Sequence, residues 1–291
     1  MTDHDFSGMR ITVMGLGRFG GGLAVTQYLA ARGADITLTD LAPPETLSSA
    51  IDQLQPLIDS GQVTLRLGEH NVSDFTTGDL VVANPAVPKP WDNRFLRAAA
   101  AASIPITTEI RLGIERIPSG CPIIGVTGSA GKSTTAAMIA HALSSSWRGG
   151  RTVFAGNIGR SLLSEDLSLG DAIVLELSSA QLHWLGPDSL SGPASSFAPA
   201  VSVFTTLSKN HIDWHGSFEH YSASKLWLAS AGANNRLIAS AQAGAAFAFA
   251  DSVSPDPSLE LALPGQHNRA NASLAFAAVS ALLRDAGHPP L

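Results

Sequence analysis

Two glycine-rich turns constrain this chain more than anything else in its sequence. Gly15-Leu-Gly-Arg-Phe-Gly20 follows the apolar stretch Ile11-Thr-Val-Met14, and Gly125-Val-Thr-Gly-Ser-Ala-Gly-Lys-Ser-Thr134 follows Cys121-Pro-Ile-Ile124. A glycine turn between a buried strand and a helix lets backbone N–H groups converge on an anion, while the helix presents its positive end. Around both turns the apolar periodicity alternates between strand and helix. Strands are predicted over 10–14, 35–39, 63–67 and 80–83, with helices over 23–31, 45–58 and 93–102. After Ile117-Pro-Ser-Gly120, which reads as a hinge, the alternation restarts. Strands are predicted over 122–126, 151–155, 171–176, 200–205 and 236–239, with helices over 132–144, 218–230 and 268–283. The alanine-rich stretch 239–250 suits either a buried strand or a helix, and 252–263 is broken by proline.

Strands that return through helices argue for parallel sheets covered on both faces. The expected fold class is therefore α/β, with a Rossmann-like parallel-sheet domain over 1–118 followed by a P-loop-type α/β ATPase domain over 119–291. Composition narrows the partners. With 18 basic against 24 acidic residues the formal charge is -6, and no basic stripe exists to track a nucleic-acid backbone or a membrane surface. Any phosphate is held locally, by a loop. The lone cysteine, Cys121, excludes an internal disulfide and a cysteine metal cluster and reads as core. The acidic start, Met1-Thr-Asp-His-Asp5, carries no secretory pattern and no apolar run is long enough to cross a bilayer, so a cytoplasmic protein is expected.

The first turn, Gly15-x-Gly17-x-x-Gly20 with Asp40 about twenty residues on, matches a dinucleotide fingerprint. The same geometry would hold the diphosphate of a nucleotide sugar, or the glycines could serve tight packing alone. The second turn departs from the strict P-loop at Val126 and reads T-G-x-x-G-K-S. In it Gly128, Ser129, Ala130 and Gly131 supply backbone, Lys132 a charge, and Ser133 or Thr134 a hydroxyl for magnesium. A triphosphate also needs carboxylates and cations around it. Glu176 ends an apolar strand and continues into the polar Leu-Ser-Ser-Ala-Gln. Ser208-Lys-Asn-His-Ile-Asp-Trp-His-Gly216 offers His211, Asp213 and His215, and Lys225 lies on the helix beyond.

Taken together, Gly125–Thr134, Gly156-Asn-Ile-Gly159, Glu176-Leu-Ser-Ser-Ala-Gln-Leu182, Asn210-His-Ile-Asp-Trp-His-Gly-Ser217, Tyr221-x-x-x-Lys225 and Gly265-Gln-His-Asn-Arg-Ala-Asn271 closely resemble the Mur ligases of peptidoglycan synthesis. The Glu-Leu-Ser-Ser-x-Gln-Leu form and the dinucleotide-like first domain are most similar to the D-glutamate-adding branch. The resemblance implies an ADP-forming ligase of cell-wall biogenesis that acts through an acyl phosphate. Its implied partners are ATP, UDP-N-acetylmuramoyl-L-alanine and D-glutamate, with two magnesium ions, in a monomer. By the same resemblance Gly15, Leu16, Gly17, Arg18, Phe19, Gly20, Asp40, Asn84 and Asn157 would bind the sugar nucleotide. Gly128, Ser129, Ala130, Gly131, Lys132, Ser133 and Thr134 would hold the ATP phosphates, with Asn268 and Asn271 toward the adenine nucleotide. Ser133 and Glu176 would bind one magnesium, and His211 with Lys225, as its carbamate, a second; Lys132, Glu176, His211 and Lys225 form the implied catalytic set.

Two departures stand out. Ala130 occupies a position where the family carries asparagine, which removes a side-chain amide and leaves the backbone, and Asn84-Pro-Ala86 replaces a Ser-Pro-Gly turn. The family's third domain, which carries the amino-acid substrate, is expected to be absent, because the sequence stops at Leu291. Weak or absent ligase activity is then the expectation, since proximity supplies much of the rate of a two-substrate ligation. The alternatives are a nucleotide-binding module without independent catalysis, a ligase that adds glutamate to folate, and a nicotinamide-dependent dehydrogenase.

Overall fold

The computed structural model describes residues 5–17, 20–158, 160–247 and 250–289. Arg18 and Phe19 of the first glycine turn lie outside the described residues. The chain forms two compact units: Met1–Arg116 with Ser161–Glu165 and Trp184–Ala194, and Ile117–Arg160 with Asp166–His183 and Ser195–Leu291.

The first unit contains β1 (Arg10–Met14), α1 (Gly21–Ala30), β2 (Asp35–Asp40), α2 (Pro44–Asp59), β3 (Val63–Leu67), α3 (Val72–Thr76), β4 (Leu80–Ala83), α4 (Arg94–Ala101), β5 (Ile106–Thr108) and α5 (Glu109–Glu115). Its strands form one parallel sheet in the order β3-β2-β1-β4-β5. Alternate residues feed opposite faces, as the pleat demands. Ile11, Val13, Ile36, Leu38 and Val82 pack with Val25, Leu29, Leu47 and Leu54 on one side. Met14, Val81 and Ala83 pack with Phe75, Phe95, Leu96 and Trp184 on the other. Asn71, Asn93 and Thr108 cap α3, α4 and α5 with their side chains. Helix α1 instead starts at Gly20, at φ 85°, with no side-chain cap and no acidic residue in its first turn.

The second unit contains β6 (Ile123–Thr127), α6 (Lys132–Ser146), β7 (Thr152–Gly156), β8 (Ala172–Glu176), β9 (Val201–Phe204), α8 (Ile212–His215), α9 (Phe218–Ser230), β10 (Arg236–Ser240), α10 (Ala241–Gly244), β11 (Asp251–Val253) and α11 (Gln266–Asp285); α7 spans Ser179–Leu185. Its parallel sheet runs β11-β10-β9-β6-β8-β7. Strand β6 is fully buried at the centre, and Ile124, Val126, Val174 and Val203 pack against Ile139, Leu143, Leu274, Val279 and Leu282 of α6 and α11. The strand order reverses at β6, where β8 and β9 lie on either side. That reversal opens a crevice at the carboxyl ends of these strands, the place where open α/β sheets bind ligands. In both units the sheet core matches the expected α/β architecture. The alanine-rich stretch yields the four-residue α10, and β11 lies beyond it at the sheet edge.

One buried acid stands out in the first unit. Glu109 opens α5, is 9% exposed, and accepts a hydrogen bond from the Ser161 hydroxyl. Burial pushes its carboxyl up to about 7 against the opposing hydrogen bond. A carboxyl whose folded pKa lies above its unfolded value contributes stability in full below the unfolded pKa, and that contribution is lost as pH rises through about 7. Glu109→Gln is therefore expected to raise the thermal midpoint relative to the parent at pH 8 more than at pH 5. Equal effects at both pH values would contradict the assignment.

Candidate active site

Helix α6 begins as α1 does, at a left-handed glycine without a side-chain cap: Gly131, at φ 85°, with no acidic residue in the first turn. The first backbone bond into the helix runs from Thr135 N–H to Gly131 O at 3.0 Å. The N–H groups of the preceding turn therefore face outward with the helix's positive end, the arrangement that holds a phosphate. Lys132 and Ser133 open this turn. The Lys132 ammonium bends back toward Ser129 O at 3.5 Å. Its pKa is lowered by burial, with nearby Glu176 acting in the opposite direction.

Part of the loop serves another purpose than expected. Ser129 N–H donates to Thr206 O at 2.8 Å and Ala130 N–H to Thr206 Oγ1 at 2.8 Å. These two amides were expected to point at an anion. They are consumed by the segment after β9, because that strand ends directly beneath the loop. The close approach is possible only at glycine: a Cβ on Gly128 would lie 2.0 Å from Thr205 Oγ1.

Glu176, Lys132 and Lys225 converge where β6 and β8 end. Glu176 is 1% exposed and Lys225 2% exposed. Lys225 Nζ donates to Gly128 O at 2.9 Å and Thr127 Oγ1 at 3.2 Å, and sits 5.0 Å from the Tyr221 ring centroid. Burial and the neighbouring Lys132 charge bring its pKa down to about 7, against the pull of Glu176. Read by itself in the sequence, this lysine looked solvated; the fold buries it. Glu176 Oε1 accepts from Asn157 Nδ2 at 3.3 Å, and Asn157 N–H donates to Glu176 O at 2.8 Å. Glu176 Oε2 is buried with no hydrogen-bond partner. A carboxylate oxygen stripped of water and left unpaired is costly, and a cation satisfies it.

The remaining candidates are placed as follows. Asn271 is buried and its Oδ1 borders Gly131, while Asn268, three residues earlier on α11, donates to Pro264 O at 2.8 Å. His211 sits in a left-handed conformation at φ 50°, exposed, with its ring centroid 6.4 Å from that of Tyr221. His215 is buried instead: Nε2 faces Ser179 Oγ at 2.9 Å and Nδ1 faces His220 Nδ1 at 2.9 Å. Among the described residues no three His, Cys, Asp or Glu side chains converge into a metal site. Magnesium suits such a place, since it is commonly held by one or two carboxylates together with substrate phosphates.

In the first unit the glycine turn ends β1, between β2 and β4. Asp40 Oδ2 accepts from Gly17 N–H at 3.1 Å and Oδ1 from Ala42 N–H at 2.8 Å. Asn84 Nδ2 donates to Gly15 O at 3.3 Å. Asp40 and Asn84 thus brace the turn from either side, and Gly20 leaves the start of α1 open. Leu16, expected among the binding residues, is 0% exposed and packs in the core, so it presents no surface to a ligand.

Comparison with known proteins agrees with this geometry. The family model described as the Mur ligase middle domain matches residues 126–251. Within those residues the chain is similar to the middle domain of the Mur ligases. It is 38% identical over 221 residues to UDP-N-acetylmuramoylalanine--D-glutamate ligase of Roseiflexus sp., covering 75% of this chain and 44% of that protein. It is 34% identical over 224 residues to the enzyme of the same name from Geobacter metallireducens, covering 76% and 45%. The chain thus spans less than half the length of these relatives. A crystal structure of UDP-N-acetylmuramate:L-alanyl-gamma-D-glutamyl-meso-diaminopimelate ligase from Neisseria meningitides shares the fold, with a TM-score of 0.60 at 16% identity over 95% of this chain and 94% of that one.

Two contributors to this site were given no role in the sequence reading. Thr206 holds the phosphate loop, and Tyr221 reaches it from α9. Ser129 Oγ donates to Ser208 O at 2.9 Å, which leaves the Tyr221 hydroxyl, 2.7 Å away, as donor to Ser129. The available signal was topological: β9 borders β6, so whatever follows β9 must touch the turn that follows β6. His215 generates a test. Burial first, and then the surrounding His220, His183, Lys225 and His211, depress its pKa to about 3, so the folded protein keeps it neutral while the unfolded chain protonates near 6.5. Its contribution is present above pH 6.5 and is lost as pH falls toward 3. The thermal midpoint is expected to drop between pH 7.5 and pH 5, and to drop less in His215→Gln; identical drops would contradict the assignment.

Proposed function

We propose that this chain handles both nucleotides of an ATP-dependent ligase that joins D-glutamate to UDP-N-acetylmuramoyl-L-alanine. The observation that carries this reading is the convergence of the buried Lys225, the half-buried Lys132 and one buried carboxylate with a single hydrogen-bonded oxygen, beside the uncapped start of α6. A buried carboxylate oxygen left without a hydrogen-bond partner among the described residues is costly. A polyphosphate with its magnesium satisfies it. The curated relatives bear the D-glutamate ligase name, which supports the choice of substrates.

In this reading the L-alanine carboxylate attacks the γ-phosphorus of ATP, ADP departs, and an acyl phosphate forms. The D-glutamate amine then adds to the acyl carbon and expels inorganic phosphate, leaving the amide. Lys132 and the first-turn amides of α6 hold phosphate oxygens and offset the charge that builds on them. Ser133 and Glu176 would hold one magnesium ion, and Glu176 Oε2 fits that role because it accepts no hydrogen bond among the described residues. Lys225 and His211 would serve a second. Bound magnesium supplies charge neutralisation between the phosphates and the attacking carboxylate.

Lys225 is suited to carbamylation. At about pH 7 a large share of its amine is neutral and can add carbon dioxide with loss of a proton, giving an anion near Glu176. Gly15, Gly17 and Gly20, braced by Asp40 and Asn84, would hold the uridine diphosphate at the start of α1, and Asn157 would contact the sugar-nucleotide substrate. We place the functional boundary near residue 118, sugar-nucleotide binding before it and ATP binding after it. No helix among the described residues is long and apolar enough to cross a membrane; we place the reaction in the cytoplasm.

The tests separate the two nucleotides. Lys132→Ala is expected to weaken ADP binding by about tenfold or more, while UDP-N-acetylmuramoyl-L-alanine binding stays within about twofold by calorimetry. With labelled bicarbonate, a carbamate carbon resonance is expected in the parent and absent in Lys225→Arg. Binding of folates in place of the muramoyl substrate, or ADP affinity indifferent to Lys132, would overturn the proposal.

A further inference from the structure

The phosphate loop of this chain has little of its own with which to keep its shape. Ala130 offers only a methyl group, and the neighbouring glycines offer none. Beside Tyr221 and Lys225 of α9, what holds the loop comes from the four residues after β9. Thr206 O accepts Ser129 N–H, and Thr206 Oγ1 accepts Ala130 N–H. The same hydroxyl lies 3.1 Å from Ala130 O, to which it donates, so the Thr206 side chain closes a ring on both polar groups of one peptide residue. Thr205 Oγ1 donates to Ala130 O from the other side, and Ser208 N–H donates to Ser129 Oγ at 2.9 Å.

We propose that Thr206 is a positioning residue of the nucleotide site: beside its carbonyl, which holds the Ser129 amide, its hydroxyl holds the Ala130 amide inward, so that the phosphates meet the start of α6 in a preset geometry. It touches neither the reacting atoms nor, in this arrangement, the phosphates; it acts through the loop. Two amides are withdrawn from the anion, and Gly131 and the residues after it, whose N–H groups α6 leaves open, do the binding. The same short segment leads to His211, five residues on, so the clasp ties the His211 backbone to the phosphate loop. Preorganisation of this kind affects affinity by removing conformations the ligand would otherwise have to select.

The inference deepens the nucleotide reading and rests on it. Thr206 is partly exposed, so its side chain can be changed without opening a core cavity. The test uses the full chain with MgADP and MgAMP as probes. Thr206→Val keeps the shape and removes the hydroxyl; ADP affinity is expected to fall roughly three- to tenfold, the range set by one net hydrogen bond. AMP, which lacks the β-phosphate, is expected to change less than about twofold by the same reasoning. Thr206→Ser restores the hydroxyl and is expected to restore ADP binding. Unchanged ADP affinity in Thr206→Val overturns the inference and leaves the nucleotide reading intact. Equal losses for ADP and AMP also overturn it, since they indicate a general structural role. If the parent chain binds no ADP, the nucleotide reading falls first and the inference with it.

Discussion

The start of helix α6 is left without a cap, in the form that suits an anion. Its first-turn amides have no backbone partner, no side chain caps it, and a lysine stands at its first position, where a cation opposes the helix dipole. Directly behind it a second lysine is buried against the loop carbonyl of Gly128, with one glutamate for company. A protein that packed this region for stability alone would place a capping side chain there, as it does with Asn71, Asn93, Thr108 and Ser217 elsewhere. The uncapped, cation-rich end is a local cost that a bound polyphosphate offsets.

The rest of the second unit can be understood as support for that end. The parallel sheet puts β8 and β9 on either side of β6, so Glu176 and the Thr205–Thr206 pair arrive at the loop from opposite flanks. Helix α9 brings Tyr221 and Lys225, one turn apart, to the same place, the first onto Ser129 and the second onto Gly128. Helix α11 contributes Asn271 from the core side. The first unit repeats the principle more simply. An uncapped helix starts at a left-handed glycine, and flanking strands supply Asp40 and Asn84 to hold the turn.

Much of this was legible in the sequence, for reasons that differ by element. Helices such as α2 show their period plainly, β8 shows as a continuous apolar run, and the glycine turns show themselves by composition. Short elements did not: α3, β5 and α10 have five, three and four residues, too few for a period to register. At the site, Lys132 and Glu176 were readable because each adjoins an apolar strand. Lys225 was legible only through resemblance, since its burial is created by packing of α9 over the loop. The inward turn of the Ser129 and Ala130 amides was not readable at all, because backbone direction is set by Thr206, which lies far along the chain and near only in the fold. Asp40 illustrates the same limit: its spacing suggested a ligand contact, while its oxygens also hold backbone amides.

The account rests on magnesium and a nucleotide diphosphate completing the uncapped end of α6, and calorimetric titration of the full chain with ADP, in magnesium and then in chelator, tests it most directly. One saturable site per chain that weakens when magnesium is withdrawn is the predicted result. No detectable heat of binding in either condition, or binding that ignores magnesium, would contradict it.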